Sequence, residues 1–241
     1  MKILFLAALC FTLSQNMYAQ DDKVFVHDAN AQPRTVSGSF TGVSVSGSID
    51  LYLSQGNDEA VVVSASDVKY RDRIVTEVKD GILHIYYNEK GLQWSTGDRK
   101  LKAYVSCKTI NKLTASGSSD VYANGVIKGE TLYIGLSGSS DFKGAVDVQE
   151  LSLNQSGSSD SKISGRSVKL KIGLSGASDV SGYELVTDYC EANTSGASDV
   201  QLTVNKELSV SASGSSDFYY RGSGVIKDVR SSGSSTVKRK E

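Results

Sequence analysis

The sequence predicts an all-β protein built as a solenoid of about 19 residues per coil. That expectation rests on three features: a pentapeptide that recurs along the C-terminal half, short alternating apolar segments before most copies, and a composition rich in turn formers with one proline.

The pentapeptide comes first. It reads Ser116-Gly-Ser-Ser-Asp120, Ser137-Gly-Ser-Ser-Asp141 and Ser156-Gly-Ser-Ser-Asp160, then Ser175-Gly-Ala-Ser-Asp179, Ser195-Gly-Ala-Ser-Asp199 and Ser213-Gly-Ser-Ser-Asp217. Ser232-Gly-Ser-Ser-Thr236 closes the series. The near-constant spacing of these copies marks a repeat architecture.

The alternating segments include Leu132-Tyr-Ile-Gly-Leu136, Leu151-Ser-Leu-Asn154, Val168-Lys-Leu-Lys-Ile172 and Leu208-Ser-Val-Ser-Ala212. Apolar residues at every second position describe a strand with one buried face. A second short stretch follows each motif, as in Val121-Tyr-Ala-Asn-Gly and Val200-Gln-Leu-Thr-Val. Each unit therefore reads as strand, tight turn, strand, looser turn. One unit cannot bury its apolar face alone, but stacked units can, with equivalent residues about 4.8 Å apart. Antiparallel meanders in a sandwich or prism are the alternative. The near-constant turn favours stacking, because hairpin turns need not match one another.

Composition agrees. The 241 residues include 23 glycines and one proline, Pro33, so Gly, Ser, Asn and Asp build the turns. Val, Ile, Leu and Tyr remain frequent, which argues against disorder. Gly and Ser interrupt every helical candidate in the repeats.

The N-terminal half is less regular but also reads as β. Residues 40–53 alternate and contain a variant turn, Ser46-Gly-Ser-Ile-Asp50. Glu59-Ala-Val-Val-Val63 is another strand, and Asp80-Gly81 between Ile74–Val78 and Ile82–Tyr86 is a hairpin signal. Residues 88–100 are polar, contain Trp94 and read as a long loop.

Met1-Lys2, the apolar run Ile3–Leu13 and a more polar stretch to Ala19 form the pattern of a secretory signal peptide. The expected organisation is 1–19 signal, 20–34 N-terminal extension, 35–236 one β domain and 237–241 a polar tail. Within the domain, 35–110 is the irregular part and 111–236 the regular repeats. The apolar run is too short to span a bilayer, and no transmembrane segment is expected after signal removal.

Export permits a disulfide between Cys107 and Cys190. They occupy different phases of the repeat, about four coils apart, so buried free thiols are the preferred reading. Formal charge is −1, with no basic block before Lys238-Arg239-Lys240, so no nucleic-acid footprint is present.

The arrangement Phe40-x-x-Val-x-Val-Ser-Gly-Ser-Ile-Asp-Leu-x-Leu53, the segment Ile74-Val-Thr-Glu-Val-x-Asp-Gly-x-Leu83 and the Ser-Gly-Ser/Ala-Ser-Asp repeats together resemble the DUF2807 family, the auto-transporter adhesin head GIN domain. The likeness runs from about residue 35 to 235. It implies a right-handed β-helix in an exported protein of Bacteroidetes-type bacteria, with a cell-envelope or surface role. It carries over no binding residue.

Reactive groups are few. Asp120, Asp141, Asp160, Asp179, Asp199 and Asp217 would stack, and unpaired carboxylates about 5 Å apart repel. Either turn hydrogen bonds within each motif or intervening cations would relieve this, and the turn role is preferred. Their equivalence singles out no acid–base pair. His27 and His84 lie in unrelated settings. No catalytic, cofactor-binding or metal-ligating residue is assigned, and no enzyme is expected. Tyr52, Tyr86, Tyr87, Tyr104, Tyr122, Tyr133, Tyr183, Tyr189, Tyr219 and Tyr220 offer stacking surfaces or half-buried strand residues, and Trp94, near Arg99 and Lys100, is a candidate recognition point.

The leading expectation is a noncatalytic cell-envelope interaction or structural protein, adhesin-like, in the periplasm, on the outer membrane or at the cell surface. The partner is an envelope, host-surface or glycan component. A carbohydrate-binding module or glycan-processing enzyme is the alternative, and self-association through an uncapped end is a further expectation.

Overall fold

The structure is a computed structural model that describes residues 28–90 and 98–241. The signal segment, most of the N-terminal extension, His27 and Trp94 lie outside the described residues. In chain order the elements are β1 Gln32–Pro33, β2 Gly42–Ser46, β3 Ile49–Gln55, β4 Ala60–Ser64, α1 Val68–Arg71, β5 Ile74–Lys79, β6 Ile82–Tyr87, β7 Leu101–Cys107 and β8 Lys112–Ser116. The repeats follow as β9 Val121–Leu136, β10 Phe142–Gln155, β11 Ser161–Leu174, β12 Val180–Thr194, β13 Asp199–Ala212, β14 Asp217–Arg221, β15 Val225–Ser231 and β16 Thr236–Arg239.

The repeats stack in parallel, each strand on the next coil. Phe142 lies opposite Ser161 and Leu151 opposite Leu170, so each residue meets its equivalent one repeat further along the chain. The second, looser turn expected from sequence is absent. From β9 to β13 each coil is instead one long bent strand, of 16 residues in β9 and 14 in β10, closed only by the pentapeptide.

The pentapeptide works by three side-chain or backbone devices. Its glycine takes a positive φ in every coil, +80° at Gly138 and +84° at Gly157. Its third residue donates its N–H to the glycine carbonyl of the coil before, as from Ser139 to Gly117 at 2.8 Å. Its fourth residue is fully buried in every copy from Ser119 to Ser216. In the copies from Ser159 to Ser216 that hydroxyl donates to the first serine of its own turn, as from Ser178 to the Ser175 carbonyl at 3.1 Å. Ser140 and Ser159 also accept a backbone N–H from the preceding coil. A buried hydroxyl with its bonds made escapes the cost of desolvation without a partner.

Inside the solenoid, equivalent residues form apolar ladders. One runs Leu132, Leu151, Leu170, Cys190, Leu208. A second runs Leu113, Ile134, Leu153, Ile172, Ala192, Val210. Nearest-neighbour burial of this kind is what holds a repeat protein together.

The N-terminal part is less irregular than its sequence. β3 continues one face in parallel between β7 and β9, and β2 continues another between β6 and β8. The variant turn stacks under the first regular one, and Ile49 N–H donates to Ser119 Oγ at 3.1 Å. Antiparallel pairings then close this end: β4 on β7, β1 on β4 and β5 on β6. Asp80 and Gly81 form the expected hairpin turn, both with positive φ.

Cys107 and Cys190 are free and buried. Burial pushes their thiols up, to about 11 and about 12. Among the described residues no helix is long and apolar enough to cross a membrane.

Candidate functional site

The aspartates do not bond within their own turns. Each carboxylate accepts the backbone N–H of the aspartate one coil on: Asp120 from Asp141 (3.2 Å), Asp141 from Asp160 (3.0 Å), Asp160 from Asp179 (3.1 Å) and Asp179 from Asp199 (3.0 Å). The own-turn bond belongs to the serine beside it. The aspartates thus tie coil to coil. Among the described residues no group of three His, Cys, Asp or Glu is placed to hold a metal.

Partial burial, with neighbouring carboxylates adding, raises the pKa of Asp160 and Asp199 despite those N–H bonds. Burial and Asp120 do the same to Asp50. A carboxyl whose folded pKa is raised favours the neutral form. Its stabilising contribution is present below the unfolded value and is lost as pH rises through the folded pKa. Asp28 has the opposite sign. Its bond from the Tyr104 hydroxyl and the adjacent Lys102 ammonium lower its pKa, so its contribution is lost as pH falls. We expect the double variant Asp160→Asn, Asp199→Asn to keep the coil-to-coil acceptors without the charge. Its melting midpoint at pH 7 should equal or exceed the parent's, with a shallower slope between pH 7 and pH 4. A lower midpoint at pH 7 would show that the charge itself is needed.

Two residues after the aspartates, and continuing one coil beyond them at either end, runs a second outward ladder. It reads Tyr104, Tyr52, Tyr122, Lys143, Lys162, Ser181, Gln201, Tyr219 and Lys238. The first three rings stack, with centroids 5.0 Å apart for Tyr52–Tyr104 and 5.2 Å for Tyr52–Tyr122. Tyr52 is covered on both faces. Tyr122 has one face on Tyr52 and the other toward the coil of Lys143.

Beyond Tyr122 lies a groove of about 730 Å³. Its walls come from the two long coils. In β9, residues 123–125 stand against the single Gly144 of β10, and in β12, residues 183–184 stand where the register against β11 shifts. Between them β10 and β11 are shorter and form the floor, with Gly144, Ala145 and Ile163. Glycine is required at 144, since a Cβ there would come within 2.6 Å of Ala123 Cβ and 2.9 Å of the Phe142 ring. Tyr183 closes the far end, with the Arg221 guanidinium 4.2 Å from its ring centroid. Lys143, Lys162, Asn124, Glu184 and Gln201 supply polar groups at the rim. Neither lysine makes an ion pair among the described residues.

A trough of about 690 Å³ on another face is lined by turn serines, Asn154 and Asn193. Its tyrosine, Tyr133, lies close over Gly135. Of the other candidates, Arg99 lies over the Tyr87 ring and beside Glu89, and Lys100 pairs with Asp98, at the closed end and away from the groove. His84 sits on β6 opposite Glu77 of the hairpin.

Tyr122 and Tyr183 were two of the ten tyrosines named from the sequence, with nothing to set them apart, and the floor and the lysines were not named. The signal was in the spacing. The intervals Asp120–Asp141 and Asp179–Asp199 are longer than the two between them, and the extra residues are the groove walls.

Stacked serine–glycine corners, coil-to-coil aspartates and a groove between long coils define a β-solenoid. Residues 39–224 match the family "DUF2807: Putative auto-transporter adhesin, head GIN domain", and the chain belongs to that family. Among solved structures it is similar to a "putative adhesin" from Bacteroides fragilis, at 19% identity and TM-score 0.78, covering 87% of this chain and 96% of that one. It is also similar to a "putative adhesin" from Parabacteroides merdae, at 17% and 0.69, covering 88% and 97%. A third likeness is to a "putative lipid binding protein" from Parabacteroides distasonis, at 17% and 0.67, covering 88% and 98%. At such identities the likeness speaks for the fold. No match was found among curated proteins.

Proposed function

We propose that this protein is an exported, noncatalytic interaction module of the bacterial envelope, and that it holds a short carbohydrate chain in the Tyr122–Tyr183 groove. The observation that carries the reading is the open face of Tyr122 beside the side-chain-free floor at Gly144. A flat ring next to a shallow floor accepts the apolar face of a sugar ring, while amide, ammonium and carboxylate groups at the rim satisfy its hydroxyls. The groove volume falls in the range of small-ligand sites. The aspartates support a noncatalytic role, because they are equivalent to one another and engaged between coils. Family membership and the signal-like N-terminus support an envelope setting, with adhesion as the process served.

The test is a glycan array with the purified chain, followed by calorimetry on the best binder. Ser181 is exposed at the rim, so Ser181→Trp should fill the groove and weaken binding by more than about tenfold while the melting midpoint stays put. Tyr122→Ala should weaken it similarly. Binding that ignores both changes would place the ligand elsewhere. A fatty acid titrated in parallel separates sugar from lipid, and binding of the fatty acid alone would overturn the carbohydrate reading.

A further inference from the structure

The apolar ladders do not end inside the protein. The first passes from Leu208 to Ile226 and the second from Val210 to Val229, both on β15. Every earlier member of these ladders is buried, whereas Ile226 is 45% and Val229 38% exposed, with Val225 beside them at 68%. β15 pairs with β13 on one side, and its other edge has no partner among the described residues. Similarly, β16 pairs only with β14 among the described residues. The residues after β15 form the last turn and β16 and do not cover it. An unpaired, apolar edge is a template for another strand.

We propose that this open end is a self-association surface, on which β15 pairs antiparallel with β15 of a second copy about a twofold axis at Val229. Three features select that occupant and register.

The first is backbone direction. Ser232 N–H donates back to Ala212 O, so by the alternation of a parallel ladder the N–H and C=O of Ser231 and Val229 point away from the solenoid. Two Val229 residues across the axis would exchange both hydrogen bonds.

The second is charge. With Val229 on the axis, Asp228 of each copy faces Arg230 of the other, which gives two reciprocal pairs. Shifting the axis to residue 227, 228 or 230 sets Lys227, Asp228 or Arg230 against itself, and like charges directly opposite are unfavourable. In the single chain Arg230 Nε lies 3.3 Å from Asp228 Oδ2, with both side chains largely in solvent, so both are available to re-pair.

The third is the opposite end. There β4 runs antiparallel on β7 and β5 antiparallel on β6, β1 covers the outer edge of β4, and Tyr70 of α1 is buried in the core. These strands end the parallel stacking. Head-to-tail growth is thereby blocked, and an isologous pair is the closed solution. The basic run Lys238-Arg239-Lys240 sits at the same end as β15 and opposes pairing. Association should therefore tighten as salt is raised to physiological strength, where the screening length is about 8 Å.

Sedimentation velocity of the full chain from micromolar to millimolar concentration tests this. A concentration-dependent dimer with no larger species is expected. Val229→Asp should leave a monomer with an unchanged thermal midpoint. Asp228→Arg should weaken the dimer by more than about tenfold, and the exchange Asp228→Arg, Arg230→Asp should restore it. A monomer throughout would overturn the proposal. So would a growing series of larger species, which means head-to-tail contact, or a dimer indifferent to Val229→Asp, which means another face.

Discussion

Gly157→Ala is expected to lower the melting midpoint by about 5–15 °C, with thermal unfolding followed by circular dichroism. Two costs add at this corner. The residue sits at φ +84°, where an L side chain is strained by roughly 1–2 kcal/mol. Its Cβ would also drive into the carbonyl oxygen of Gly138 in the coil before, and backbone cannot swing aside as a long side chain can. Overpacking of that kind costs about 1–3 kcal/mol more. Gly81→Ala isolates the first cost. It has φ +72° with nothing within 4 Å of a built Cβ, and should lose only about 1–2 kcal/mol. Equal losses at the two sites would mean that the close approach between coils carries no penalty.

Phe142→Ala is expected to cost about 3–5 kcal/mol. Phe142 is buried in the ladder Val121, Phe142, Ser161, Val180, where its bulk is matched by the small Ser161 on the next coil. It also lies beneath Gly144, so its ring supports the groove floor. If the groove holds carbohydrate as proposed, the variant should lose that binding at temperatures where it is still folded. Ser161→Ala should move stability the other way. Ser161 Oγ is buried with no hydrogen-bond partner among the described residues, and removing an unpaired hydroxyl relieves a desolvation cost. A gain of up to about 1 kcal/mol is expected in denaturant unfolding, and a loss would show that the hydroxyl is bonded after all.

The proposed groove and the packing of the coils meet at the bends of β9 and β12. The sequence pointed to a looser turn there and offered no reason to prefer any coil. The structure keeps the strand continuous and lets inserted residues bulge outward, because outward is the one direction that leaves the ladders inside undisturbed. The surplus residues of β9 and β12 thus became walls. The interval lengths were visible, but which part of a coil would absorb them was not.

The aspartates teach the same distinction. Their recurrence was plain, and the structural role preferred for them is the one observed. The partner was misplaced: a carboxylate can reach its own turn or the next coil, and only the stacking distance decides. The adjacent buried serine makes the bond within the turn by donating to the first serine's carbonyl, while the carboxylate, which only accepts, takes the N–H of the aspartate one coil on.

The repeat and its alternation were enough, before any stacking is seen, to establish a β-solenoid with a period of about 19 residues. A strand with one apolar face and a recurring Ser-Gly corner buries that face by stacking on its own copies. The same pattern marks which glycines the corners need. Three-dimensional packing set where the solenoid stops being regular. It turned the N-terminal half into further coils closed by antiparallel strands and placed Tyr52 between two other rings. It also opened the groove beside Tyr122 and left Ile226 and Val229 half-exposed on β15, whose outer edge has no partner among the described residues. Those outcomes depend on which residues become neighbours across coils, and spacing along one chain does not state that until the coils are stacked.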